Sequence, residues 1–188
     1  MVLASQLRAG MAIVYDHHLY KVIAADYHPG QGKMGGVMHS RLLNLDTGTQ
    51  WEQNFRAELR LEESELARVP MDFLYEDASN YYFMNPSNFE QAALPEALLG
   101  PQARVLQPGM RLTVEFSGER PVGVVFPDMI EARVKETAPP LHGQPDAAMK
   151  PATLESGVEV MVPQFIKAGD AIRVDLRTLK YMDRVKTR

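Results

Sequence analysis

The segment Pro29-Gly30-Gln31-Gly32-Lys33-Met34-Gly35-Gly36 holds the most suggestive chemistry in this chain of 188 residues. Glycines let a backbone enter a crowded site, and a lone lysine ammonium reaches phosphate or ribose oxygens. Gly30, Gly32 and Gly35 match the glycine spacing of a dinucleotide fingerprint. That fingerprint needs a strand before it and a helix after it, because the helix N-terminus holds the pyrophosphate. Residues 37–45 read as a strand, and no strand–helix–strand alternation follows. The nucleoside-triphosphate loop also fails: Met34 stands where Ser or Thr should follow the lysine, and the upstream glycine is missing. Two readings of the segment remain open. One is a flexible hairpin carrying a solvated lysine; the other is a slender probe with Lys33 at its tip.

Other reactive side chains carry less. His17, His18, His28, His39 and His142 show no zinc-ligand spacing. Glu62, Glu63 and Glu65 read as a charged linker rather than a catalytic pair. No Ser or Thr stands in a nucleophile-elbow context. The absence of cysteine excludes disulfides, thiolate metal sites and cysteine nucleophiles. Phe73, Tyr75, Tyr81, Tyr82 and Phe83 form an aromatic group that could stack on bases or pack as core.

Positioning such a loop needs strands, and strand-type segments dominate. Met11-Ala12-Ile13-Val14-Tyr15 and Leu19-Tyr20-Lys21-Val22-Ile23-Ala24-Ala25 flank the turn Asp16-His17-His18 and predict a hairpin. A second pair, 41–45 and 50–55, is joined through Thr47-Gly48, with glycine supplying a positive-φ position. Residues 58–65 are charged and without clear alternation, and read as the exit from a first domain. Residues 73–75 and 81–84 form a further hairpin. Leu94-Pro95-Glu96-Ala97-Leu98-Leu99-Gly100 reads as one or two helical turns, with Pro early and Gly at the end. Strands at 111–116, 122–126 and 130–134 follow. A Pro-rich loop runs from Ala138-Pro139-Pro140 to Lys150-Pro151. Strands at 158–162 and 171–175 alternate at period two. Short strands, frequent turns and almost no helix predict an all-β chain of small barrels, divided at 1–64, 65–127 and 128–188.

The formal net charge of −4 argues mildly against a general nucleic-acid binder. Residues 65–127 are acid-rich. The last stretch instead sets Arg173, Arg177, Lys180, Arg184, Lys186 and Arg188 against Asp175 and Asp183, a local basic surface able to meet phosphates. The N-terminus lacks the basic start and apolar stretch of a signal peptide. No run of about 18 apolar residues appears, so the sequence predicts a cytoplasmic protein with no membrane partner.

Taken in order, these pieces resemble the bacterial elongation factor P family over essentially the whole chain. The most specific match is Lys150-Pro151-Ala152-Thr153-Leu154-Glu155-Ser156-Gly157, then Val160-Met161-Val162-Pro163, Ile166 and Gly169. Supporting matches are Leu7-Arg8-Ala9-Gly10-Met11, Thr47-Gly48, Phe83-Met84-Asn85, Phe89-Glu90-Gln91, and Tyr181 with Arg184-Val185-Lys186.

The resemblance implies an SH3-like, KOW-type barrel followed by two OB-folds, arranged in the L shape of a tRNA. It implies a monomeric translation factor that is not an enzyme and needs no cofactor. Such a factor binds the ribosome between the peptidyl- and exit-tRNA sites and stimulates peptide-bond formation at stalled proline runs. The loop of the first domain, here Pro29, Gly30, Gly32, Met34, Gly35 and Gly36 around Lys33, reaches the acceptor end of peptidyl-tRNA. Its tip lysine is often modified, which implies a lysine-modifying enzyme as a further partner. Arg41, Tyr181, Arg184 and Lys186 are the candidate RNA contacts. The loop departs from the family's Pro-Gly-Lys-Gly. Counting from Pro29 puts Gln31 in the lysine slot. Counting back from Leu42, Asn44, Leu45 and Thr47-Gly48 puts Lys33 at the tip, and the strand register favours Lys33. Gly143-Gln144-Pro145 also departs from the family's Gly-Asp-Thr near the exit-site codon. The rival reading from another class is a general single-stranded RNA-binding protein built of OB-folds.

Overall fold

The computed structural model describes residues 1–30, 35–139 and 148–185. Its strands fall into three antiparallel sheets. The first takes β1 (Val2–Leu3), β2 (Ala12–Tyr15), β3 (His18–His28), β4 (Val37–Asn44), β5 (Gln50–Arg56) and β6 (Arg60–Ser64), in the order β1-β6-β2-β3-β4-β5. The second takes β7 (Ala67–Glu76), β8 (Asn80–Met84), β9 (Gln91–Pro95), β10 (Arg111–Ser117) and β11 (Arg120–Val125), in the order β11-β10-β7-β8-β9. The third takes β12 (Met129–Thr137), β13 (Met149–Leu154), β14 (Glu159–Pro163), β15 (Ala171–Asp175) and β16 (Lys180–Arg184), in the order β14-β13-β12-β15-β16.

The second and third sheets share one topology. Each places its first strand centrally, its second and third to one side, and its fourth and fifth to the other. The two outermost strands of each sheet also come together, β9 with β11 and β14 with β16. A five-stranded Greek-key barrel of this order is an OB-fold. The chain is therefore all-β with three sheet domains, as the spacing of strand and turn residues predicts.

Period-two burial explains each core. Along β12, Ile130, Ala132 and Val134 are buried while Glu131, Arg133 and Lys135 are exposed. Leu154, Val162, Ile166, Ile172 and Val174 meet them with no exposed surface. Side chains of this size contribute ~1.5–3 kcal/mol each on full burial. Ile13, Val22, Leu42 and Phe55 do the same in the first domain. Met71, Phe73, Phe83, Leu94 and Val114 do so in the second.

The turns follow their residues. Asp16 and His17 both take positive φ, 49° and 64°. That is the two-residue hairpin geometry matched to strand twist, and it leaves His18 as the first residue of β3. Gly48 (φ 73°) and Gly118 (φ 61°) turn β4–β5 and β10–β11. The helical turn falls at α1 (Glu96–Leu99) and ends on Gly100 at φ 77°, as the Pro-first, Gly-last pattern predicts.

Four segments differ from the sequence reading. Residues 58–65 are not a plain exit linker, because β6 lies within them, pairs with both β1 and β2 and buries Leu61. Its alternation is masked because Leu61 is the one buried residue among charged neighbours. Lys150 and Pro151 belong to β13 rather than to the end of a Pro-rich loop. Lys150 is buried and its Nζ donates to the Ala138 carbonyl at 2.5 Å. β9 takes in Leu94 and Pro95, which the Pro-early pattern reads as helical, because Leu94 alternates with Ala92 into the second core, and β16 is a strand without a sequence cue. Among the described residues no helix is long and apolar enough to cross a membrane.

Candidate functional site

β3 and β4 build an arm. β3 is eleven residues long, and its last rung pairs His28 with Val37, which in turn faces Arg56 of β5. Pro29, Gly30, Gly35 and Gly36 continue from the end of this rung. Gln31, Gly32, Lys33 and Met34 lie outside the described residues, and so does the choice between Lys33 and Gln31. The arm carries a bulge between Val22 and Ala24. A bulge adds a residue to one strand, sharpens its twist and re-aims the residues beyond it. Beyond the bulge, Asp26, Tyr27 and His28 are exposed, while Met38, which pairs with Tyr27, stays in the first core.

The loop base is fixed by three contacts. The Ala57 N–H donates to the Gly36 carbonyl at 2.8 Å, tying the start of β4 to the β5–β6 turn. The Tyr27 ring lies where a Gly36 side chain would begin, so a Cβ there would overlap it. At this glycine the close approach of the Tyr27 ring, not φ, sets the fit, and a larger residue would have to displace that exposed ring. His28 and His39 meet edge to face, with ring centroids 4.5 Å apart at 86°. His28, Pro29, Gly36, His39, Asn54 and Arg56 border one open recess beside the loop.

Sequence reasoning missed Tyr27, His28, His39, Asn54 and Arg56 as neighbours of the loop. The available signal was the alternation Val37, His39, Arg41 on β4, which places a polar outer face against buried Met38 and Leu42.

The candidate RNA contacts are dispersed. Arg41 lies on the outer face of β4, its Nε 3.4 Å from Glu52. Tyr181 and Arg184 lie on β16 of the third domain, on a different sheet. Burial raises the Tyr181 phenol, which packs at the edge of the third core. Arg184 stands 3.9 Å from Asp170, and Arg173 pairs with both Glu131 and Asp183. The basic stretch is thus partly neutralised by its neighbours. Lys186, like 143–145 and His142, lies outside the described residues.

The aromatic group divides. Phe73, Tyr81 and Phe83 are core, and desolvation pushes the Tyr81 phenol up to about 12. Tyr75 and Tyr82 instead stack at the surface, with centroids 4.6 Å and planes 21° apart. The Tyr82 hydroxyl donates to Asp77 Oδ2 at 2.8 Å. Among the described residues no group of acidic and imidazole side chains could hold a metal ion.

Comparison with known proteins covers the chain from end to end. Residues 3–61 match the elongation factor P KOW-like domain, 66–124 the elongation factor P OB domain, and 130–184 the elongation factor P C-terminal domain. The elongation factor P of Gemmatimonas aurantiaca is 35% identical over 184 residues, 97% of each chain. That of Thermotoga maritima is 36% identical over 185 residues, covering 98% of this chain and all of its own. That of Acidobacterium capsulatum is 37% identical over 182 residues, 96% of this chain and 97% of its own.

Proposed function

The chain belongs to the elongation factor P family, a family of translation factors rather than enzymes, and on that footing we propose how it acts. It binds the ribosome beside peptidyl-tRNA, between the peptidyl and exit sites, in a tRNA-like L. Its first domain extends the 29–36 loop toward the acceptor end. Peptide-bond formation then speeds up at proline runs, where the acceptor end is poorly held. The ribosome supplies the catalysis, and the factor supplies position. Holding reactants in a near-attack geometry lowers the barrier through entropy already lost before the chemical step.

The observation that carries this reading is the arm. The longest strand among the described residues, β3, ends at a glycine-rich loop whose base is pinned by Ala57 and crossed by Tyr27. The exposed end of β3, Asp26 to His28, carries that loop at the edge of the first core. Lys33 serves as its tip and as the site for a lysine-modifying enzyme, with Gln31 the alternative. The factor acts as a monomer in the cytoplasm and uses no cofactor.

The general RNA-binding reading has one surface in its favour, the stacked Tyr75–Tyr82 pair. Glu76 and Asp77 border that pair, and their charge opposes a phosphate backbone. Two binding assays separate the readings. Co-sedimentation with ribosomes carrying tRNA in the peptidyl site is expected to retain the protein, while filter binding to isolated single-stranded RNA is expected to be weak. The reverse pattern would overturn the proposal.

A further inference from the structure

Glu115, on β10 of the second domain, is fully buried. Its Oε2 accepts from Lys21 Nζ on β3 of the first domain, and its Oε1 accepts from Arg68 Nε at 3.3 Å. A buried carboxylate is thus shared between a cation from each domain. The surrounding contact is apolar: Leu43 and Leu45 of the first domain pack against Val122 of the second, flanked by Leu19, Leu66 and Leu98. At the rim, exposed Arg120 donates to Asp46 at 2.6 Å.

These contacts differ in what they specify. Apolar contact is non-directional, so a small leucine patch tolerates sliding and rotation. An exposed ion pair adds little. A buried carboxylate held from two sides accepts one arrangement only, because any other leaves an unpaired charge out of water.

Lys21 lies one residue before Val22, where the β3 bulge begins, and seven residues before His28 at the loop base. At ~3.3 Å per residue the lever is about 23 Å, so a rotation of about 10° at Lys21 would carry the loop base about 4 Å. Misplacement of about 1 Å near a reacting centre costs up to about a hundredfold in rate. We propose that Glu115 and Lys21 are positioning residues: with Arg68, they lock the loop-bearing arm of the first domain at one angle to the second. The consequence for peptide-bond formation rests on the function proposed above.

The test uses the double variant Lys21→Met/Glu115→Leu. Replacing a buried ion pair by apolar residues is often neutral or stabilising, and Arg68 is exposed enough to stay hydrated without its partner. The chain has no cysteine, so spin labels at Glu58→Cys and Asn88→Cys report only the distance between the two domains. The parent is expected to give one narrow distance distribution. The double variant is expected to melt no lower than the parent, to broaden that distribution at least twofold, and to lose at least tenfold in stimulation of proline-run synthesis. Lys21→Arg, which keeps the cation, is expected to keep the narrow distribution.

An unchanged width in the double variant would overturn the lock. A broad distribution with full stimulation would overturn its role in positioning. A Lys21→Arg variant as broad as the double variant would show that the charge is irrelevant, which also overturns the lock. If the parent itself gives no stimulation, the proposed function fails, while the distance widths still decide whether the lock exists.

Discussion

Replacing Gly48 with alanine should weaken the junction between the first and second domains, by more than its backbone conformation alone accounts for. Gly48 has φ 73°, and a Cβ built there would overlap the Ala97 Cβ and lie 3.1 Å from its carbonyl carbon. Ala97 belongs to α1, so relief requires moving helix backbone rather than swinging a side chain. The left-handed conformation costs a Cβ-bearing residue ~1–2 kcal/mol, and overpacking a close contact adds ~1–3 kcal/mol. Gly118 supplies the control. Its φ is 61° and nothing lies within 4 Å of a Cβ built on it, so Gly118→Ala should show the backbone cost alone. The difference, ~1–3 kcal/mol, is the cost of the interdomain contact. At roughly 2–4 °C per kcal/mol for a chain of this size, Gly48→Ala should melt several degrees below Gly118→Ala in calorimetry. Equal melting shifts, or a larger shift for Gly118→Ala, would refute the close packing of the β4–β5 turn against α1.

Three further outcomes are expected of the same structure. The Arg120 hydrogen bond holds the Asp46 carboxyl below its usual range. Its stabilisation is therefore fully present above the ordinary carboxylate pKa and lost as pH falls through the lowered one. Arg120→Gln should destabilise the protein only slightly at neutral pH, by less than about 1 kcal/mol, and not at the acid end of a pH series of unfolding curves; a constant difference would contradict the pairing. The Tyr81 phenol, raised to about 12 chiefly by burial, favours the folded state at neutral pH and loses that contribution as pH climbs from about 10 toward its folded value. Alkaline absorbance titration should show a late phenolate step that Tyr81→Phe removes, and a step unchanged in that variant would refute the assignment. Leu154→Ala should cost ~2–5 kcal/mol by emptying a site with no exposed surface in the third core. Denaturant unfolding checks this, and a cost below about 1 kcal/mol would mean the site is not packed as described.

The sequence was most legible where chemistry is local. The Asp16-His17 and Thr47-Gly48 turns, the alternation of β12, β14 and β15, and the short α1 all arise from neighbouring residues. The pattern from Lys150 to Gly169 was the most specific family match, and its reason is packing: Ala152, Leu154, Val160, Val162 and Ile166 are core residues of one barrel. Strands were missed where burial rests on one residue, as in β6 with Leu61, or where a proline suggested a loop, as in β13 with Pro151. Pro151 faces Met161 across the ladder without breaking it.

The site was legible in part. The glycine spacing marked the loop, but nothing local shows that Tyr27 lies across Gly36 or that His28 meets His39 from the neighbouring strand. The Lys21–Glu115 pair spans 94 residues of sequence, and no periodicity could have joined its members. Glu115 stands in a strand otherwise rich in apolar residues, and a charge in that setting is the one local sign that a partner must exist.

The central claim is tested most directly by translation in vitro with ribosomes freed of their own factor. A message encoding consecutive prolines is compared with a matched message lacking them. Adding this protein is expected to restore full-length product from the proline message and to leave the control message nearly unchanged, whereas the Lys33→Ala variant is expected to leave both messages as they were without the factor. Equal stimulation of both messages, or full rescue by Lys33→Ala, would contradict it.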